Sequence, residues 1–279
     1  MNARFRGVLR PLAGSFLALI CASPFAPARA QDPPPPAEDP VRKKAIEDKI
    51  KAFNKAYAEG VKEKDAGQSK RVAALRDLMT EQDPKIQKIL GTCIDKDASE
   101  VRLVAIEGIG MYEHDAAAAK LLIAGLGNGA NKKEPIIRAA ILRALGAVGD
   151  PASVKTVNDA VADKDLAVAA AAAEAAGRIR AKSSVDVLLT EFRKLDAFQP
   201  PPAPKQAPTP PAPRAGQPAP APGPSPADEM MERKAALIQP IKSALMEIAR
   251  QQYDTFKEWD AWWKKAKSSF DPNADAKPK

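Results

Sequence analysis

The sequence predicts an all-α fold, a solenoid of stacked antiparallel helix pairs interrupted by a Pro/Ala-rich disordered segment. Three observations carry this prediction. The apolar fraction, 45% of 279 residues, is rich in Ala while only 5% of residues are aromatic, which favours closely spaced helices over a sheet core. A short pattern recurs as VRLVAIEGIG (Val101 to Gly110), IRAAILRALGAVG (Ile137 to Gly149) and VAAAAAEAAG (Val168 to Gly177). In it Gly110, Gly146 and Gly177 each fall eight residues after Arg102, Arg138 and Ala169. Finally, no run alternates β-branched and polar residues as a half-buried strand would. Self-similarity at about 30 to 36 residues means an array in which each helix pair buries one face on its neighbour.

Residues 1–30 read as a cleaved secretory signal rather than as part of the fold. Arg4, Arg6 and Arg10 form a positive start, Leu12 to Ala22 an apolar stretch too short to span a bilayer, and Ala28-Arg29-Ala30 a small-x-small cleavage pattern. The alternatives are an uncleaved N-terminal anchor and a lipoprotein processed at Cys21, against which the large Leu19 and Ile20 speak. Cleavage places the mature chain in the periplasm or outside the cell and leaves no stable transmembrane span. It also removes four Arg and no acid, so 39 basic residues remain against 35 acidic ones, a net charge of +4 instead of +8. That mild charge argues against nucleic acid as a partner. Only Cys93 remains, so no intrachain disulfide can form, and its setting in KILGTCI marks it as a small buried hydrophobe.

Residues 31–40, QDPPPPAEDP, form a Pro-rich spacer. Residues 41–198 are assigned to an N-terminal helix followed by the repeats. From Val41 to about Gly60 the positions Ile46, Ile50, Phe53, Tyr57 and Val61 line one helical face. Arg71 to Met79 then opens a first, atypical pair with Met79 where the later copies have Gly. Its second helix follows Asp83-Pro84 with Ile86, Ile89, Leu90 and Ile94 as its buried stripe. Asp83 and Asp150 each precede Pro, the signature of an Asp N-cap and Pro at the first helical position. Asp95-Lys96-Asp97 and Asp163-Lys164-Asp165 occupy equivalent turns and suit helix caps rather than calcium, which needs six to eight oxygen ligands. Inward faces are expected from Val104, Ala105, Ile109, Ile137, Ile141 and Leu145 on first helices. Leu121, Leu122, Leu126, Val154, Val157 and Val161 serve the second helices. Gly125 to Gly129, GLGNG, follows a helix and reads as a long inter-repeat loop rather than a phosphate-binding turn.

Residues 199–228 form a Pro/Ala-rich linker that serves as a tether, or alternatively as a ligand for a proline-binding module. Residues 229–270 return to helix and are expected to cap the array, with Pro240 kinking or restarting the first of them. Phe256, Trp259 and Trp263 share a buried face, which leaves Trp262 the most exposed of the three tryptophans. Trp262 in a sugar-stacking platform is the alternative to a purely structural cap. Residues 271–279 read as a disordered tail.

The passage from Asp95 to Leu195, through VRLVAIEGIG, IRAAILRALGAVGDPASV and VAAAAAEAAGRIRAKSSVDVLL, resembles a HEAT-like repeat array. Its third copy departs from the pattern with Ala169 in place of Arg. The closing WDAWW resembles the C-terminal ending of HEAT-like arrays in large secreted bacterial proteins, especially of planctomycete type. This resemblance implies a scaffold or binding surface. Some relatives of such repeats are bilin lyases, and no chromophore site can be assigned here residue by residue.

Catalytic, metal and cofactor residues are not identifiable. The sole histidine, His114, reads as a solvated turn residue beside the N-cap Asp115, with no second base or Cys cluster to complete a triad or a metal site. The leading expectation is therefore a non-catalytic scaffold for an unidentified protein or peptide. Arg102, Arg138, Arg143 and Trp262 are its candidate contact residues. For the repeated arginines the competing reading is structural, each pairing with acids of the next repeat. A cell-envelope glycan binder using Trp262 and the mild positive charge is the second expectation, and a repeat-built lyase or glycosylase the third.

Overall fold

Asp side chains open three of the second and first helices, and small residues bring the first helices together. The computed structural model describes residues 40–199 and 225–274. The signal segment, the spacer up to residue 39, the linker from 200 to 224 and the tail from 275 lie outside the described residues. Among the described residues there are eleven α-helices and no strand. In order they are α1 (Pro40–Lys62), α2 (Gln68–Leu78), α3 (Pro84–Lys96), α4 (Ser99–Gly110), α5 (Ala116–Gly127), α6 (Pro135–Val148), α7 (Val154–Ala160), α8 (Leu166–Ile179), α9 (Lys182–Ala197), α10 (Pro226–Ala249) and α11 (Phe256–Ala266).

The helices alternate between two rows. First helices α2, α4, α6, α8 and α10 each pack on the next, while α3 packs on α5 and α7 on α9, which in turn packs on α11. Helix α1 lies against α2. This is an all-α, HEAT-like solenoid in which each pair is covered by its neighbours.

One position sets the spacing of the first-helix row. A Cβ on Gly110 would lie 3.3 Å from Ala144 Cβ, on Gly146 2.7 Å from Ala175 Cα, and on Gly177 2.9 Å from Ala244 Cα. Ala144, Ala175 and Ala244 each stand two residues before the next copy of the Gly position, so α10 follows α8 in the register of α6 and α8. At the first junction the sizes are exchanged. Met79 replaces the Gly, and its partner two residues before Gly110 is Gly108, whose Cβ would come within 2.8 Å of Met79 Cγ. One small residue per crossing is therefore kept throughout, though not always on the same helix.

Caps follow from local chemistry. Asp83 accepts from Lys85 N, Asp115 from Ala117 N and Ala118 N, and Asp165 from Val168 N. Gly149 takes the left-handed conformation (φ 67°) after α6 and donates its N–H to Leu145 O. Thr255 and Glu258 form a capping box on α11.

Several details depart from the sequence reading. Asp97 does not cap α4; the N-cap is Ala98, and the Asp97 carboxylate pairs with Arg71. GLGNG is not all loop, because α5 continues to Gly127 and Gly125 lies against Ile94, where a Cβ would come within 2.7 Å. Val61 is 52% exposed rather than part of the buried face of α1. Ile89, Leu121, Leu126 and Val154 are only half-buried; Ile86, Leu90 and Ile94 take the innermost positions of α3, Ala118, Ala119 and Leu122 those of α5, and Val157 that of α7. Helix α10 runs through Pro240 without restarting.

Candidate functional site

The repeated arginines stand at the second residue of the repeat pattern, and each reaches across to the turn before the next first helix. Arg71 pairs with Asp97, Arg102 with Glu134 and Arg138 with Asp163. Arg102 is buried and most fully engaged. It donates to Asn131 Oδ1 (2.5 Å), Glu134 and Ser99 Oγ (3.0 Å). The hydrogen bonds from Ser99 and then Arg102 hold the Glu134 carboxyl below the usual carboxylate range. Asn131, also buried, returns its amide to Ile94 O and Gly125 O, so one side chain ties three elements together. Nothing in the sequence distinguishes Asn131 from a solvated loop residue. Its only signal is its place in a short turn between two apolar helices.

Where the third copy has Ala169, the array recruits an arginine from α10. Arg233 donates from Nε and Nη2 to Glu191 Oε1 (2.9 and 2.7 Å) and from Nη1 to Asp163 O (2.7 Å). Glu191 is buried, so this pairing neutralises a carboxylate inside the α8, α9 and α10 junction. Sequence spacing missed Arg233 because it lies five residues before the pattern position on α10.

Of the four candidate contact residues, Arg102 and Arg138 thus lie inside the stack, bound to the next repeat. Arg143 is exposed on the outer face of α6 and pairs with Glu174 of α8 at 3.2 Å. Trp262 is half-buried, while Trp259 and Trp263 are buried. Arg143 and Trp262 are not brought together; they sit on the first-helix row and on the last second helix.

The exposed candidate Arg143 lies on the outer face of the first-helix row. Glu107, Arg143 and Glu174 occupy the same repeat position on α4, α6 and α8 and are all exposed. One turn towards the helix starts are the half-buried Leu103, Ala140 and Ala170. Ile136, a further turn along α6, is 71% exposed. Met111, just after α4, and Met246 on α10 are exposed at 47% and 36%. The row thus presents exposed charges at one repeat position, half-buried Leu and Ala beside them, and exposed apolar residues on α6, after α4 and on α10.

Concave features also occur among the described residues. A groove of about 330 Å³ beside the short α7 is lined by Leu126, Leu142, Val168 and the paired Arg138 and Asp163. A second, of about 500 Å³, lies between α1 and α3 beside Phe53, Tyr57 and Cys93. A third, of about 440 Å³, lies beside Tyr253 and Trp262. Cys93 is buried against Tyr57, and burial pushes its thiol up to about 11, the nearby Arg71 acting in the opposite sense. His114 is exposed in a left-handed turn (φ 57°), its N–H held by Val148 O at 2.6 Å. Among the described residues no cluster of His, Cys, Asp and Glu is placed to hold a metal ion, and no helix is long and apolar enough to cross a membrane.

A family model described as HEAT repeats matches residues 123–194, from α5 through most of α9. No curated protein matches the chain. The match and the helical stack together support a HEAT-like repeat protein, a class that is typically non-catalytic and suited to protein partners.

Proposed function

We propose that this chain is a non-catalytic helical-repeat scaffold that binds a protein or peptide outside the cytoplasm, using the outer face of its first-helix row. The observation that carries the reading is the exposed Ile136, 71% accessible at the start of α6. Isolated exposed apolar residues are ordinary, but here Ile136, Met111 and Met246 accompany the half-buried Ala140 and Ala170 and the charged Arg143 and Glu174 along one helix row. Such a row admits close approach of a partner backbone, and its charges orient it. The signal-like residues 1–30 motivate the location outside the cytoplasm.

The test is capture of partners from a native envelope fraction by the chain beginning at Gln31, washed at low and high salt. A discrete protein that survives high salt and is lost with Ile136→Asp and Arg143→Glu, while both variants keep the parent melting temperature, is the expected result. Capture unchanged by both substitutions would remove this face from the reading. Salt-sensitive glycan with no protein would replace the partner class itself.

A further inference from the structure

The groove beside Trp262 has a chemistry that the protein-binding reading leaves unused. Helix α11 presents two faces. Trp259 and Trp263 are buried, their indole N–H groups donating to Tyr253 O (3.0 Å) and Asp186 Oδ1 (2.7 Å). The adjacent stripe, Glu258, Ala261, Trp262, Lys265 and Ala266, lines the groove of about 440 Å³ together with Tyr253. Residues spaced three and four apart lie on one helical face, so this stripe is continuous.

Trp262 is half-buried among aromatic rings and lines the groove. Its ring meets Trp259 at 5.7 Å and Phe270 at 5.4 Å, both edge-on, and Trp263 at 5.5 Å. Tyr253 stands beside it at 6.4 Å, tilted by 40°. Ala261 and Ala266 flank the indole with too little bulk to cover it. Three polar groups at this rim have no partner among the described residues: the Tyr253 hydroxyl, the Glu258 oxygen Oε1 and the Lys265 ammonium. Glu258 is nonetheless fixed, because its other oxygen accepts from Asp254 N, Thr255 N and the Thr255 hydroxyl.

We propose that this groove is a saccharide-stacking site, in which Trp262 and Tyr253 receive the apolar face of a pyranose ring and Glu258 Oε1, Lys265 and the Tyr253 hydroxyl bind its hydroxyl groups. A sugar ring needs this combination, an apolar C–H face for the rigid aromatic platform and a rim of both donors and acceptors. A purely apolar partner would leave the rim groups without bonds on burial, which disfavours it. The site is independent of the first-helix face and stands or falls without it.

Titration of the intact chain with two soluble probes, an N-acetylglucosamine tetramer and a neutral glucan tetramer, followed by tryptophan emission and calorimetry, tests the assignment. Saturable binding of either probe is expected, weakened about tenfold or more by Trp262→Ala. Lys265→Ala should weaken it less. Both variants should keep the parent helical spectrum and melting temperature. No saturation by either probe at millimolar concentration, equal binding by Trp262→Ala, or saturation only by a synthetic Pro-rich peptide would each overturn it.

Discussion

At the scale of single residues, the array distinguishes side chains that look alike in the sequence. Arg102 and Arg143 are both arginines on exposed-looking helical patterns, yet one is buried and the other is not. Arg102→Ala would leave the buried Asn131 Oδ1 without its donor, whereas Glu134, partly exposed, would regain water. A loss of about 2–3 kcal/mol is expected in denaturant unfolding, less than for a fully buried pair. Arg143→Ala should cost no more than about 0.5 kcal/mol, as for other exposed ion pairs. The Glu134 carboxyl, held low by Ser99 and Arg102, adds stability that is present above its unfolded pKa and is lost as pH falls through the lowered folded value. Melting temperature followed from neutral to acid pH should therefore fall more steeply in the parent than in Glu134→Gln. The small-residue crossings make a coupled forecast. Gly108→Ala should destabilise because its Cβ meets Met79. In a Met79→Ala background the same change should cost less but not nothing, because Leu90 Cδ1 still lies 3.0 Å from the added Cβ. Additive effects in this double-mutant cycle would place the two side chains out of contact.

At the scale of elements, legibility followed locality. The Asp-Pro start of α3 and the Asp N-caps of α5 and α8 depend on a backbone turn and one adjacent side chain, so spacing alone located them. The Gly positions were readable because they recur, even though their partners, Ala144, Ala175 and Ala244, were not. What depends on a second element was hidden. Asp97 looked like Asp165, but Arg71 on α2 draws its carboxylate away from the helix start. Asn131 and Arg233 act through groups 29 to 70 residues away, at distances no local pattern encodes. Pro240 was expected to kink or restart α10, and the helix does not restart there, its packed length prevailing over the missing N–H. Its local cost should still be measurable. Pro240→Ala restores a donor for the carbonyl four residues earlier and removes a ring clash, so it should raise the melting temperature. A lower one would show that α8 requires the bend that proline imposes.

At the scale of the whole molecule, the last helix pair decides whether the array is closed or cut. Ala244 continues the register of the first-helix row, and Arg233 supplies the arginine that Ala169 omits, so α10 and α11 are built as a fifth repeat despite the 25 linker residues before them. A terminal repeat needs a polar face at its open end, whereas α8 meets α10 through the small Gly177 packed on Ala244. Ending the chain after Gln199 would remove Ala244 from Gly177 and Arg233 from Glu191, leaving that carboxylate with Lys194 alone. Because repeats interact chiefly with their nearest neighbours, the damage should be graded rather than global. Hydrogen exchange of the shortened chain should therefore show α8 and α9 losing protection, α6 less, and α2 to α4 almost none, with a lower and broader thermal transition. Unchanged protection in α8 would mean that α10 and α11 form a separate unit resting on an array already complete without them.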